Sequence, residues 1–170
     1  MYTRFFLRIF EPFTAAFKFM LEDLKAGDTF NIVTFESEAR AFAAERMVPV
    51  SDRSIFAALK FMDQIETGGG TNIYSALVKS LIILAQNKKS SNRENVIYFL
   101  TDGAPTAGVQ DLNVILNTVR FVAQQNQIAI NTIAFGDEVN IFYNMIKFIK
   151  SISWELKITG TPFLILGRDK

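Results

Sequence analysis

The sequence predicts an α/β domain with a doubly wound, mostly parallel sheet that is covered by helices on both faces. Runs with strand composition alternate along the chain with segments whose apolar residues recur at helical spacing. Val96–Leu100 is continuously apolar, as expected of a strand buried on both faces, and Ile128–Phe135 is predicted to be a second buried strand. The intervening helices are long enough for the crossovers that parallel strands require. This order of elements favours a sheet between two helical layers.

The first half of the chain predicts a helix, a strand and a second helix. Thr14–Lys25 carries apolar residues at helical spacing and is followed by a glycine-containing turn. Phe30–Phe35 is rich in β-branched and aromatic residues, which predicts a strand. Met47–Pro49 is compatible with a short edge strand, where a proline is tolerated. A second helix begins near Ser51, and its apolar stripe is formed by Ile55, Leu59, Met62 and Ile65.

The second half continues with two more helices and a less regular tail. Thr71 or Asn72 is the candidate cap of a helix over Ile73–Gln86, and Asp111–Ala123 is predicted to be the next helix. After Asn140 we predict one helix and two short strands, separated by turn signals. These three elements are Ile141–Ile152, Leu156–Gly160 and Phe163–Gly167.

The composition excludes several kinds of active site. The chain of 170 residues contains no histidine and no cysteine. Catalysis by Ser-His-Asp or Cys-His, zinc held by histidine or thiolate, and disulfide bonds are therefore all excluded. The net charge of +1 supplies no field that would favour nucleic acid or an acidic membrane, so we expect no nucleic-acid partner.

No apolar run in the sequence reaches the length of a membrane span. Met1–Phe13 is apolar, but Arg4, Arg8 and Glu11 interrupt it. A signal peptide needs an uninterrupted apolar centre and a cleavage site with small residues. We therefore expect neither a membrane span nor a signal peptide in these residues.

Two short loops carry the residues with the clearest chemical meaning. These loops are Thr67–Asn72, which is rich in glycine, and Thr101–Thr106. Asp102 directly follows the strand Val96–Leu100, and ligands of doubly wound sheets bind beyond the carboxyl ends of the strands. Mg²⁺ prefers oxygen ligands and keeps several waters, so the Asp102 carboxylate and the Thr71 hydroxyl are candidate ligands.

Simpler interpretations of the same residues remain open. The pair Asp102-Gly103 after a strand is an ordinary turn, and the pair Thr71-Asn72 before a helix is an ordinary cap. A phosphate site at the helix N-terminus is a further alternative, although Gly70-Thr71 is followed by Asn72 and not by lysine, so no P-loop is present. Glu36 and Glu38 follow a strand and are interpreted as solvated loop charges near the rim of the candidate site.

Taken together, the two loops and the segments around them resemble the von Willebrand factor A family. The resemblance covers about residues 14–139, and the order of its segments is more specific than any one of them. The segments are Phe19–Phe35, Thr67–Leu84, Val96–Thr106 and Ile130–Gly136. Within the family, three phrases look most similar to inter-alpha-trypsin inhibitor heavy chains: Gly69-Gly-Thr-Asn-Ile73, Thr101-Asp-Gly-Ala-Pro-Thr106 and Asn131-Thr-Ile-Ala-Phe-Gly136.

The resemblance implies a Rossmann-like sandwich with a Mg²⁺ site at the top of its sheet. There an acidic side chain of a protein partner takes one coordination position. The threonine of the glycine loop and the aspartate at the strand end are ligands in the family, and these roles carry over to Thr71 and Asp102 only. The remaining ligands belong to an Asp-x-Ser-x-Ser run after the family's first, central strand, and the 170 residues contain no such run. We therefore expect an incomplete site that binds Mg²⁺ weakly or not at all.

The departures from the family also predict the domain organisation. We expect a divergent segment at 1–13, an incomplete A-type domain at 14–139 and a divergent segment at 140–170. Either Tyr2–Phe10 fills the position of the central strand, or the strands at Phe30 and Val96 pair directly, because a buried gap would leave backbone groups unpaired. A chain with these departures is expected to be a fragment, a splice variant or an incomplete gene model.

For function, the resemblance implies a non-enzymatic interaction module of a secreted, heavy-chain-like protein. That family associates with extracellular matrix through hyaluronan and is linked to protease inhibition. One alternative is a Mg²⁺-dependent enzyme or a nucleotide-binding domain on a doubly wound sheet. Another is a truncated fragment without function of its own.

Overall fold

A computed structural model describes residues 17–18, 20–65, 69–87, 93–101, 104–134 and 165–169. The strands in these residues are β1 (Thr29–Asn31), β2 (Val33–Phe35), β3 (Ala39–Ala41), β4 (Val48–Pro49), β5 (Arg93–Thr101), β6 (Ile128–Ala134) and β7 (Ile165–Asp169). The helices are α1 (Asp52–Met62), α2 (Ile73–Gln86) and α3 (Leu112–Asn126), and residues 17–18 and 20–22 are also helical. The predicted helix Ile141–Ile152 and strand Leu156–Gly160 lie outside the described residues.

The five-stranded sheet has the order β4-β1-β7-β5-β6, and β2 and β3 form a separate hairpin. Parallel pairing joins β5 to β6, from Asn95 opposite Ile128 to Thr101 opposite Ala134. The strand β7 pairs antiparallel with both β1 and β5, so β1, β5 and β6 run in the same direction. The α/β class is as predicted, but the sheet is mixed, because β4 and β7 run against the other three strands.

The central position of the sheet is filled by β7, and both predictions for it were wrong. The strand β7 pairs with Thr29–Asn31 on one side and with Arg93–Ile97 on the other. The strands at Phe30 and Val96 therefore do not pair with each other. The central position is occupied by β7 and not by Tyr2–Phe10, a segment that lies outside the described residues. The strand itself was predicted as Phe163–Gly167. Its pairing partners were not predicted, because the residue pattern of a strand does not show which other strands it pairs with.

The segment predicted as one strand, Phe30–Phe35, is divided at Ile32 between the large sheet and the hairpin. The division follows from the buried side chain of Asn31, whose Oδ1 accepts hydrogen bonds from the N–H groups of Ile32 (2.7 Å) and Ala43 (3.1 Å). Its Nδ2 donates to the carbonyl oxygens of Ala43 (2.6 Å) and Arg46 (2.9 Å). The amide therefore forms four hydrogen bonds, two as donor and two as acceptor, and holds the 43–46 turn against the sheet.

The two faces of the sheet carry separate hydrophobic cores. Consecutive residues of a strand point to opposite faces, and on β5 the side chains of Ile97 and Phe99 belong to one core whereas Tyr98 packs on the other. The first core includes the inner faces of α2 and α3, and the second contains Phe17, Leu21, Phe30, Ala58 and Met62. Helices therefore cover both faces, as predicted. No helix in the described part of the chain combines the length and the apolar character that crossing a membrane requires.

Side-chain caps begin the helices. Ser51 caps α1 in a reciprocal capping box with Ser54, and Asp111 caps α3 by accepting hydrogen bonds from Asn113 and Val114. Asn72 caps α2, since its side chain accepts from the Ser75 N–H at 3.0 Å. Of the two candidate caps of this helix, Asn72 rather than Thr71 therefore fills the role.

The end of α3 provides a test of backbone strain. Gln127 has a left-handed backbone (φ 55), which is unfavourable for a residue with a Cβ. Gln127→Gly is therefore expected to raise the free energy of unfolding by about 0.5–1 kcal/mol in chemical denaturation. Gln127→Ala, which keeps the Cβ, serves as the control and should give no gain. A glycine variant no more stable than the alanine variant would contradict this account.

Candidate functional site

Three loops meet beyond the carboxyl end of β5, which Thr101 ends as a buried residue. They are the hairpin turn Glu36–Glu38, the described part of the glycine loop at 69–72, and the segment 104–108 that follows β5. We call this arrangement the three-loop cluster. The sequence predicted that the glycine loop and the loop after β5 would lie together, and the structure brings Thr71 and Thr106 into direct contact.

Backbone hydrogen bonds hold Thr71 against the loop that follows β5. The Thr71 N–H donates to the Thr106 hydroxyl at 2.8 Å, and the Thr106 N–H donates back to the Thr71 carbonyl at 3.1 Å. The Ala107 N–H donates to the same carbonyl at 3.4 Å. Within the described part of the chain, no hydrogen bond engages the Thr71 hydroxyl.

Asn72 and Gly70 attach the β2–β3 hairpin to the same loop. The Asn72 N–H donates to the Glu36 carbonyl at 2.7 Å, and its side-chain amide donates to the Ser37 carbonyl at 2.8 Å. The Gly70 N–H donates to the Ser37 hydroxyl at 3.1 Å. Glu36 and Glu38 are exposed, in keeping with the prediction of solvated loop charges. Sequence reasoning missed Ser37, since a serine in a hairpin turn carries no signal of a contact 33 residues away.

Two glycines allow this close approach. A Cβ on Gly70 would lie 2.7 Å from the Ala107 Cβ, closer than real Cβ contacts come. Gly108 has a left-handed backbone (φ +64), and a Cβ there would lie 2.5 Å from the side-chain amide of Asn72. The glycine loop and the segment after β5 therefore pack with almost no space between them.

The contact between Gly70 and Ala107 predicts a rescue. Gly70→Ala is expected to lower the free energy of unfolding by about 1–3 kcal/mol, because the two methyl groups would overlap. Ala107→Gly in the same chain removes the opposing methyl group and should recover most of that loss. The double variant should therefore be more stable than the sum of the two single effects predicts. Thermal or denaturant unfolding of the two single variants and the double variant measures the coupling. Additive effects would show that the two loops do not pack as described.

The described residues around Thr71 supply several oxygen atoms of the kind that bind Mg²⁺. Their oxygens are the hydroxyls of Thr71, Thr106 and Ser37, together with the exposed carboxylate of Glu36. The Glu36 carboxylate lies close to the glycine loop, since a Cβ added to Gly69 would lie 3.3 Å from Oε2 of Glu36. The described part of the chain contains no group of three or more acidic, histidine or cysteine residues suited to a metal ion. Mg²⁺ is usually held by one or two carboxylates, and the predicted ligand Asp102 lies outside the described residues. This set alone does not fit a dedicated Mg²⁺ cage.

Comparison with known proteins points to one family. A family model described as von Willebrand factor type A domain matches residues 7–149. Inter-alpha-trypsin inhibitor heavy chain H6 of Homo sapiens is 32% identical over 136 residues, which cover 76% of this chain and 10% of that protein. Heavy chain H1 of Sus scrofa is 34% identical over 124 residues, covering 71% of this chain and 14% of that protein. The chain therefore spans only a small part of the relatives it matches.

A solved structure supports the same fold. The von Willebrand factor type A protein from Catenulispora acidiphila superposes with a TM-score of 0.64 at 17% sequence identity. The match covers 80% of this chain and 31% of that chain. At this identity the comparison shows a shared fold and says nothing of shared ligands.

Proposed function

Because the chain belongs to the von Willebrand factor type A family, we propose that it is a non-enzymatic protein-interaction module of an extracellular protein similar to the inter-alpha-trypsin inhibitor heavy chains. The three-loop cluster carries this proposal. Thr71 is held at the carboxyl end of β5 by bonds through its own backbone, and we propose its hydroxyl as the group that meets a ligand. Ligands of doubly wound sheets bind at this edge.

The binding chemistry we propose is that of a weak cation site. Thr71 and Asp102 would supply a hydroxyl and a carboxylate, and Mg²⁺ would hold an acidic side chain of a protein partner against them. With only one carboxylate from these two residues, the affinity for the ion should be low. By the same family resemblance, hyaluronan or another matrix component is the alternative partner.

The absence of histidine and cysteine supports a role in binding. The chain contains no histidine or cysteine, and no P-loop lysine follows Gly70-Thr71. Hydrolysis of a nucleotide or phosphoester by the purified protein would refute the proposal of a non-enzymatic module.

A metal titration tests the site directly. An ion that binds only the folded state stabilises by about 0.4 kcal/mol when its concentration equals its Kd. We therefore expect millimolar Mg²⁺ or Mn²⁺ to raise Tm by no more than about 1–2 °C, and Asp102→Ala to remove this rise. Asp111→Ala, which removes a helix-capping carboxylate elsewhere, should lower Tm but keep the response to the ion. A rise of many degrees that Asp102→Ala abolishes would show a complete site and contradict our proposal of low affinity.

Partner binding provides the second test. Binding of an aspartate-containing peptide and of hyaluronan would be measured by calorimetry, with and without Mg²⁺. We expect the peptide to bind only with the ion, and Thr71→Val, which removes the hydroxyl but keeps the shape, to abolish this binding. Peptide binding that is unchanged by chelator and by Thr71→Val would rule out the three-loop cluster as the binding site.

A further inference from the structure

The backbone on either side of Thr71 is bonded to a different loop from Thr71 itself. The Gly70 N–H donates to the Ser37 hydroxyl of the hairpin turn at 3.1 Å. The Asn72 N–H donates to the Glu36 carbonyl of the same turn at 2.7 Å. Between them, the N–H and the carbonyl of Thr71 are bonded to the segment after β5. The position of Thr71 therefore depends on the hairpin turn as well as on the segment that it contacts directly.

The side-chain amide of Asn72 joins the hairpin turn to helix α2. Its Oδ1 accepts a hydrogen bond from the Ser75 N–H at 3.0 Å and caps the helix. Its Nδ2 donates to the Ser37 carbonyl at 2.8 Å. The segment after β5 packs on the same amide, since a Cβ on Gly108 would lie 2.5 Å from it. One side chain therefore contacts the hairpin turn, the first turn of α2 and the segment after β5.

We propose that Asn72 is the positioning residue of the three-loop cluster, and that it fixes the Thr71 hydroxyl for a ligand by fastening the hairpin turn to α2. This inference rests on the proposed function, in which that hydroxyl meets the ligand. Without the Asn72 amide, the hairpin turn loses one of its attachments to the glycine loop, and the backbone around Thr71 adopts more than one arrangement. A ligand that needs one arrangement then binds with lower apparent affinity, because only a fraction of the molecules is competent.

Asn72→Ser separates this role from that of the helix cap. Serine is about as good as asparagine at an N-cap, so the cap of α2 is kept, whereas the donor to the hairpin turn is lost. Asn87 provides the matched control, because it is also half-buried and lies at the other end of α2. Its Nδ2 donates to the carbonyl oxygens of Glu45 (3.0 Å) and Ile83 (2.8 Å). Asn87→Ser removes both bonds away from the cluster and should lower stability at least as much as Asn72→Ser.

Amide hydrogen exchange measures the attachment of the hairpin turn without any ligand. We expect Asn72→Ser to speed exchange of the Gly70 N–H, which is bonded to the Ser37 hydroxyl, by about three- to tenfold. Asn87→Ser should leave that rate unchanged and should instead speed exchange of the Met47 N–H, which donates to the Asn87 Oδ1 at 3.4 Å. If the Gly70 N–H exchanged at the wild-type rate in Asn72→Ser, the proposal would be overturned.

Mn²⁺ provides the readout for binding, because this paramagnetic ion broadens the NMR signals of nearby amides. In the wild-type chain we expect added Mn²⁺ to broaden the Thr71 amide signal. Asn72→Ser should raise the Mn²⁺ concentration that gives half-broadening by about three- to tenfold, and Asn87→Ser should leave it unchanged although it lowers stability. A merely structural role for Asn72 would give the two variants the same response, and that result would overturn the proposal.

The role of Asn72 and the proposed cation site fail in different ways. A wild-type chain whose Thr71 signal is not broadened by Mn²⁺ would refute the cation site, and with it the effect of Asn72 on binding. A wild-type chain that responds, with an Asn72→Ser variant that responds equally, would overturn only the role of Asn72. Linkage gives one more check, since an ion that needs the fastened hairpin turn must in return stabilise it. Saturating Mg²⁺ should therefore slow exchange of the Gly70 N–H in the wild-type chain, and an unchanged rate would contradict the coupling.

Discussion

Replacing Leu166 with proline is expected to lower the free energy of unfolding by about 3 kcal/mol or more. Leu166 lies in β7, opposite Phe30 of β1 on one side and Val96 of β5 on the other. A proline there has no N–H to donate to the ladder, and its ring does not fit between two paired neighbours. Because β7 joins the two halves of the sheet, the damage should reach both.

Urea denaturation of the purified chain measures the effect. Leu166→Ala is the matched control, because it also shortens the side chain but keeps the backbone N–H. The difference between the two variants isolates the contribution of the ladder. Equal stability of Leu166→Pro and Leu166→Ala would show that β7 does not occupy the middle of the sheet in solution.

The second large effect is expected at Asn31. Asn31→Asp preserves the size of the side chain but replaces the Nδ2 donor with an acceptor oxygen. A carboxylate would then face the carbonyl oxygens of Ala43 and Arg46, which would lose their hydrogen bonds in a buried site. Unsatisfied buried groups cost about 1–3 kcal/mol each, and an unpaired buried charge costs more. We therefore expect a loss of at least about 3 kcal/mol.

Asn126→Asp is the matched control for this substitution. Among the described residues, Asn126 donates one hydrogen bond, to the Val122 carbonyl at 2.9 Å near the end of α3. Its replacement should cost about 1 kcal/mol or less, since Asn126 is only half-buried and water can reach the groups that lose their bond. If the two variants proved equally stable, the hydrogen bonds of the Asn31 amide would not contribute to stability as we expect.

Much of the fold could be predicted from local patterns. The helix over Ile73–Gln86 was predicted with the bounds that α2 has in the structure, since its apolar residues recur at helical spacing between a cap and a polar loop. The strand Val96–Leu100 lies within β5, and the prediction that helices cover both faces of the sheet is confirmed by the two cores. These features depend on residues that are near each other in sequence.

The candidate site was predictable only in part. The glycine loop and the loop after β5 were expected to lie together because of their positions in the strand and helix order of a doubly wound sheet. The contact between Thr71 and Thr106 agrees with this expectation. The bond from Gly70 to Ser37 was not expected, because it joins loops whose turn residues carry no pairing signal. That Thr71 and Asp102 bind a metal ion remains a prediction.

The sequence by itself determined the types of the elements α1, α2, α3, β5 and β6, the family, and the absence of histidine and cysteine chemistry. The tertiary structure alone decided which strand fills the centre of the sheet and how Asn31 divides Phe30–Phe35 between two sheets. The reason is physical. Periodicity and caps report the preferences of neighbouring residues, whereas strand order and buried polar contacts are settled by segments far apart in sequence that compete for the same backbone hydrogen bonds.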